Sequence, residues 1–147
     1  MADVQSDQET ITVGTEITPY DVRPSTTQLF RFSAATWNAH RIHYDQEYAR
    51  SEGYPNVLVQ SHLHGCFLSN AVLEWAGDNA TLREFRWQNR RLAVAGDHLT
   101  VTGTVTAVYD EPGTRVVEVE LEEHNQRGEL CAPGRAVLAL PDDAGDR

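Results

Sequence analysis

Two hydrophobic periods divide the chain at Gly77. Before it, apolar residues recur at helical spacing; after it, they alternate with polar ones. A short extended segment, Ile11–Val22, comes first. Ser25 and Gln28, just after Pro24, have capping-box spacing, and Leu29, Phe30 and Phe32 follow, which predicts a helix over 25–37. Asp45 is placed to cap a second short helix through Tyr48 and Ala49, stopped by Gly53 with Pro55 beyond. The long helix falls at about Ser61–Ala76, with Leu63, Cys66, Phe67, Asn70 and Ala71 on one face and Leu68, Val72 and Trp75 on another. A helix apolar over so much of its circumference is buried on more than one side. Beyond Gly77 the strands read as Phe85 and Trp87 leading into Leu92 and Val94, then a Gly96-Asp97 turn. Leu99, Val101, Val105 and Ala107 alternate with threonines; Val117, Val119 and Leu121 alternate with glutamates; Ala136, Leu138 and Leu140 form a last strand. Turns fall at Glu111-Pro112-Gly113 and Arg127-Gly128.

One buried helix followed by a long antiparallel meander implies an α+β domain, its sheet wrapped round the helix. That arrangement is the hot-dog fold. Its open edge and uncovered side lead to the expectation of a dimer. The domain is expected over residues 10–140, between acidic tails at 1–9 and 141–147 that read as disordered.

Composition narrows the function. The chain has 147 residues and a formal charge of -10, which argues against a nucleic-acid surface. It has no apolar run of about 18 residues, so no membrane helix is expected. The acidic start reads as neither a signal nor a transit peptide. Cys66 and Cys131, far apart, read as reduced buried thiols, and a cytoplasmic location follows as the default. All twelve basic residues are arginine, and Arg83, Arg86, Arg90 and Arg91 cluster. Such a strip either binds a small phosphorylated ligand or guards a strand edge against aggregation. On the first alternative, Arg86 and Arg90 are candidate substrate-binding residues.

The densest chemistry lies in Asn38-Ala39-His40-Arg41-Ile42-His43-Tyr44-Asp45, directly after the first apolar segment. Imidazole titrates nearest neutral pH, so proton transfer is the first hypothesis for this stretch. The alternative for His43 is a loop histidine bonded to Asp45. His40 is either a second proton carrier or a structural partner of the loop backbone. Arg41 either orients a substrate carboxylate or pairs with Asp45 or Glu47. Tyr44 reads as packing. Four imidazoles, His40, His43, His62 and His64, raise the question of zinc, but His62 and His64 lie about 200° apart on a helix and cannot face one ion.

Leu29-Phe30-Arg31-Phe32-Ser33-Ala34, the 38–45 block and Gly53-Tyr54-Pro55 together resemble the MaoC-like hot-dog hydratases and dehydratases. The branch in question holds mitochondrial-type 3-hydroxyacyl thioester dehydratases and the mesaconyl- and itaconyl-CoA hydratases. Phe85-Arg86-Trp87, Gly96-Asp97-His98-Leu99 and Asn125-Gln126-x-Gly128 extend the likeness to about residues 11–140. The resemblance implies reversible hydration of an enoyl thioester on CoA or acyl carrier protein, without metal or redox cofactor. It implies an Asp/His pair at the positions of Asn38 and His43. Asparagine orients water but cannot act as a base, and the Asn form is typical of this branch. The thioester oxygen is implied to meet the backbone N–H of Ser61, where the family's His-Gly-x-Leu reads Gln60-Ser61-His62-Leu63. A hot-dog thioesterase usually relies on a carboxylate on the central helix, and Glu74 sits at that helix's far end. The resemblance also implies paired hot dogs, a homodimer or a heterodimer with a second hot-dog subunit, and a non-catalytic or substrate-binding half of such a heterodimer is the remaining alternative.

Overall fold

The computed structural model describes residues 11–142. The expected tails lie outside these residues, apart from Pro141, the last residue of the final strand, and Asp142, whose amide bonds to the Gly113 carbonyl at 3.1 Å. The elements are β1 (Tyr20–Val22), α1 (Thr26–Thr36), a single 3-10 turn (Arg41–His43), α2 (Gln46–Ser51), α3 (Ser61–Ala76), β2 (Thr81–Trp87), β3 (Leu99–Glu111), β4 (Thr114–His124) and β5 (Leu130–Pro141). The strands form one antiparallel sheet in the order β1-β3-β4-β5-β2. The sheet curls round α3, which touches β2, β3, β4 and β5. This is the expected hot-dog architecture.

The local signals act as read. Ser25 accepts from the Gln28 amide at the start of α1, and Asp45 accepts from the Tyr48 amide at the start of α2. β3 turns into β4 through Pro112 and Gly113, the glycine at φ 72, a backbone conformation open to it because it has no Cβ. Val117, Val119 and Leu121 point inward and are buried with Leu63, Phe67, Leu68, Ala71 and Val72 of α3. Asn70, assigned to the apolar face, is exposed, whereas His64 is buried. Of the extended 11–22 segment only Tyr20–Val22 is a strand, with one isolated bridge from Glu16 to Thr104.

The segment after Trp87 departs from expectation. It first stays along β5, the Gln88 amide bonding to Pro133 O and the Arg90 amide to Cys131 O, and then leaves the sheet for residues 57–59. There Val59 N meets Ala93 O and Ala95 N meets Val57 O, both at 2.9 Å. The parity is the reverse of that expected. Ala93 and Ala95 are buried, and Leu92 is 48% exposed. Packing against the 57–59 strip, directly before α3, selects the small residues for the inside.

Candidate active site

Three short pieces of chain meet at the start of α3: the end of α1, the 3-10 turn and residues 57–60. α1 ends at Trp37 in the left-handed conformation (φ 56, ψ 28), and the Asn38 amide closes on Ser33 O at 3.0 Å. A bulky residue rarely adopts this conformation, and here it turns the chain so that Asn38 emerges beside the helix end. Asn38 Oδ1 accepts from the His40 amide at 3.4 Å. His40 Nδ1 in turn accepts from the Ile42 amide at 3.3 Å, so His40 caps the 3-10 turn.

His43 lies inside, 9% exposed. Its Nδ1 is 2.8 Å from the Leu58 carbonyl oxygen. A carbonyl only accepts, so Nδ1 carries the proton and Nε2 keeps its lone pair. Burial pushes the His43 pKa below its ordinary 6.5; the Leu58 carbonyl opposes this shift, and nearby His40 adds to it. His43 therefore makes its bond to Leu58, and Asp45 is occupied elsewhere. Arg41 donates to Asp45 from Nε and from Nη2, the latter at 2.8 Å, and lies 4.5 Å from the Tyr48 ring centre. The Tyr48 amide and the Arg41 guanidinium together hold the Asp45 carboxyl below its ordinary range. Of the alternatives for Arg41, pairing with Asp45 is the one observed. Tyr44 donates from its hydroxyl to Ala39 O at 2.8 Å and meets Phe30 edge to face, which is a packing role.

Gln60 joins these pieces to α3. It is fully buried, and its Nε2 donates to Leu29 O (2.7 Å) and Ser33 Oγ (2.9 Å) on α1. Its Oε1 is buried without a partner. Gln60 occupies the N-cap position of α3, but its side chain makes no capping bond there. Ser61 is the first helical residue, so its N–H has no intrahelical acceptor and sits at the positive end of the helix dipole. Ser33 thus accepts from both Asn38 and Gln60, and Leu58 accepts from His43. These ties bring Asn38 and His43 to the strip that leads into Ser61. Gln60, read from sequence only as a departure from the family's histidine, is the joint of the site.

The four imidazoles separate into different environments. His40 and His43 have ring centres 6.1 Å apart, His62 packs on Trp87 at 5.8 Å, and His64 is inside against Glu123. Among the described residues no three His, Cys, Asp or Glu side chains converge as metal ligands would. The arginines also divide. Arg83 pairs with Glu111 and Arg91 with Glu129, whereas Arg86 and Arg90 line a cleft of about 390 Å³ with Trp87, Glu120 and Arg135. Glu74 is exposed near the end of α3, remote in sequence from the 38–61 cluster. A second cleft, of about 450 Å³, runs along α1 and is lined by Phe30, Ser33, Ala34, Trp37, Asn38 and Tyr44. No helix among the described residues is long and apolar enough to cross a membrane.

A buried imidazole with its Nε2 lone pair free, an amide side chain and an open helix N-terminus on a hot-dog scaffold define a candidate acid/base site. Residues 2–95 match the family described as hydroxyacyl-thioester dehydratase type 2, and the chain belongs to that family. Over 56 residues, 37% of this chain, it is 50% identical to the mesaconyl-C(4)-CoA hydratase of Chloroflexus aurantiacus, and it covers 19% of that enzyme's length. Two solved structures share the fold. The (R)-hydratase from A. caviae involved in PHA biosynthesis superposes with a TM-score of 0.80 at 19% identity, over 90% of this chain and 99% of that one. The ChsH1-ChsH2 complex from Mycobacterium tuberculosis gives 0.78 at 22%, over 88% and 98%.

Proposed function

We propose that this chain hydrates and dehydrates an enoyl or 3-hydroxyacyl thioester, with His43 as acid/base, Asn38 holding the water and the Ser61 amide receiving the thioester oxygen. The observation that carries this reading is the His43–Leu58 bond. It fixes the tautomer with the free lone pair on Nε2, and burial keeps that imidazole neutral at the pH where a base is needed. In hydration, Nε2 takes a proton from water as its oxygen bonds to C3, and a proton returns to C2. Negative charge develops on the thioester oxygen, where a helix-start N–H stabilises the transition state more than the ground state. Asn38 supplies hydrogen bonds to water without charge.

The substrate is carried on CoA or acyl carrier protein, Arg86 and Arg90 are suited to its phosphates, and His40 and Arg41, near Asn38 in the chain, are further candidates for contact with it. The working unit is a dimer in the cytoplasm. Asn38 in place of a carboxylate favours one second reading, in which the chain is the substrate-binding half of a heterodimer. The test is to incubate the purified chain with crotonyl-CoA and follow a mass gain of one water. Product from the chain alone supports the enzyme. Absence of product, restored by a second hot-dog subunit, supports the heterodimer, and absence under both conditions overturns the reading.

A further inference from the structure

The core holds a second ionisable pair that the mechanism above does not use. Glu123 continues the inward row Val117, Val119, Leu121 of β4 and is fully buried. Its Oε1 is bonded to Nδ1 of His64 on α3; the two side chains are 0% and 3% exposed. The other oxygen, Oε2, is buried without a partner. A carboxylate at a core position is costly, and a well-packed apolar pair would serve stability as well or better. His64 also has an outlet. It lines a pocket of about 240 Å³ with Ser61, Asn89, Arg90, Arg91 and Leu92. It follows Ser61 by three residues, and a side chain at that spacing leans back over the preceding turn, toward the helix start. Since Glu123 accepts from Nδ1–H, Nε2 is the nitrogen left for the pocket.

We propose that His64 is a second catalytic acid/base, in the pocket it shares with Ser61, and Glu123 its positioning residue. The proposal rests on the hydratase reading. In hydration His43 Nε2 takes a proton from water as the C3–O bond forms, and electrons move from the C2–C3 double bond to the thioester oxygen. As the carbonyl re-forms, C2 takes the Nε2 proton of imidazolium His64. The cycle leaves His43 protonated and His64 neutral, and exchange with water restores both. Asn38 carries no charge, so the carboxylate of this site is Glu123, acting through an imidazole. The groups facing the pair are Arg90 and Arg91 across the pocket, with Arg91 held by Glu129 at 2.7 Å, and Cys131 and Asp97 behind it.

The experiment is the pH profile of kcat/KM for crotonyl-CoA hydration in wild type, His64→Gln and Glu123→Gln, with melting temperatures measured alongside. Two groups required in opposite states give a bell. His64→Gln should lower kcat/KM by roughly 10²-fold or more and remove the alkaline limb. Glu123→Gln should shift that limb to lower pH, because loss of the carboxylate weakens the imidazolium. A structural role alone moves the melting temperature but not the limb. A second measurement needs no variant: butyryl-CoA, which has no double bond to hydrate, should shift the ring ¹⁵N signals of His64 in the wild type. An active wild type with unmoved His64 signals, or with folded variants that keep its rate and profile, overturns the proposal alone. A wild type inactive with and without a second subunit overturns the hydratase reading and this proposal together.

Discussion

Gln60 is the residue through which the architecture of the site is most sharply tested. Its Nε2 makes two buried bonds to α1, at 2.7 and 2.9 Å, while its Oε1 makes none. Gln60→Met keeps the side chain's length and removes both polar atoms. The two lost bonds cost about 1–3 kcal/mol in total, and removal of the unpartnered oxygen returns part of that, leaving a net loss of about 1–2 kcal/mol. Gln60→Glu is closer in shape but puts an oxygen where the donor stood, facing Leu29 O and Ser33 Oγ. The Ser33 hydroxyl can turn to donate to it, but a buried charge without an ionic partner still costs about 3–5 kcal/mol. The order is therefore opposite to that expected from chemical similarity. In urea unfolding, with a slope of about 2 kcal/mol/M, the two midpoints should differ by about 1 M, glutamate the lower. Both variants should also lose turnover beyond their loss of stability, since Asn38 is tied to the end of α1 through Ser33 O. A Gln60→Glu protein as stable as Gln60→Met would show that these bonds do not hold α1 to α3.

Three further outcomes follow from the geometry. Gly65→Ala, normally a gain inside a helix of about 1 kcal/mol, should destabilise here, because its Cβ would lie 2.8 Å from the Trp87 ring; thermal melting measures this, and a stabilised variant would contradict the packing. The Cys131 thiol, pushed up to about 11 chiefly by burial, should resist iodoacetamide at neutral pH until the protein unfolds, as read by mass spectrometry; rapid labelling of the native protein would contradict it. The acid limb of kcat/KM should lie below 6.5, because burial lowers the His43 pKa from that value. The unfolded chain then binds more protons between the two values, so stability rises with pH through that window and falls as pH drops below 6.5. Asn38→Asp should move the limb to higher pH and Asn38→Ala should lower turnover without moving it; an Asn38→Ala enzyme as fast as wild type would remove Asn38 from the reaction.

Much of this fold was legible because local chemistry and global packing agree in it. The caps at Ser25 and Asp45, the Pro112-Gly113 hairpin and the β4 alternation are short-range signals, and each acts as its spacing implies. The 88–98 segment was misread because its alternation is real but its partner is residues 57–59, a contact no local pattern announces. At the site, the 38–45 block was legible as dense polar chemistry. The partners of its members were not: His43 bonds Leu58 rather than Asp45, and Gln60 reaches back thirty-one residues to Leu29. His64 and Glu123 were hidden for a similar reason. They are fifty-nine residues apart and meet only when β4 closes over α3. One signal was present: Glu123 ends an inward row of apolar residues, at a position where a solvated glutamate has no place.

The central claim, that His43 Nε2 is the base of a thioester hydratase, is tested most directly by initial rates of crotonyl-CoA hydration, followed as loss of enoyl absorbance, for wild type and His43→Ala at equal folded concentration. The account predicts a wild-type rate that falls by roughly 10²–10⁴ in the variant, the range expected when a placed acid/base is removed. A folded His43→Ala protein that hydrates the thioester as fast as the wild type would contradict it.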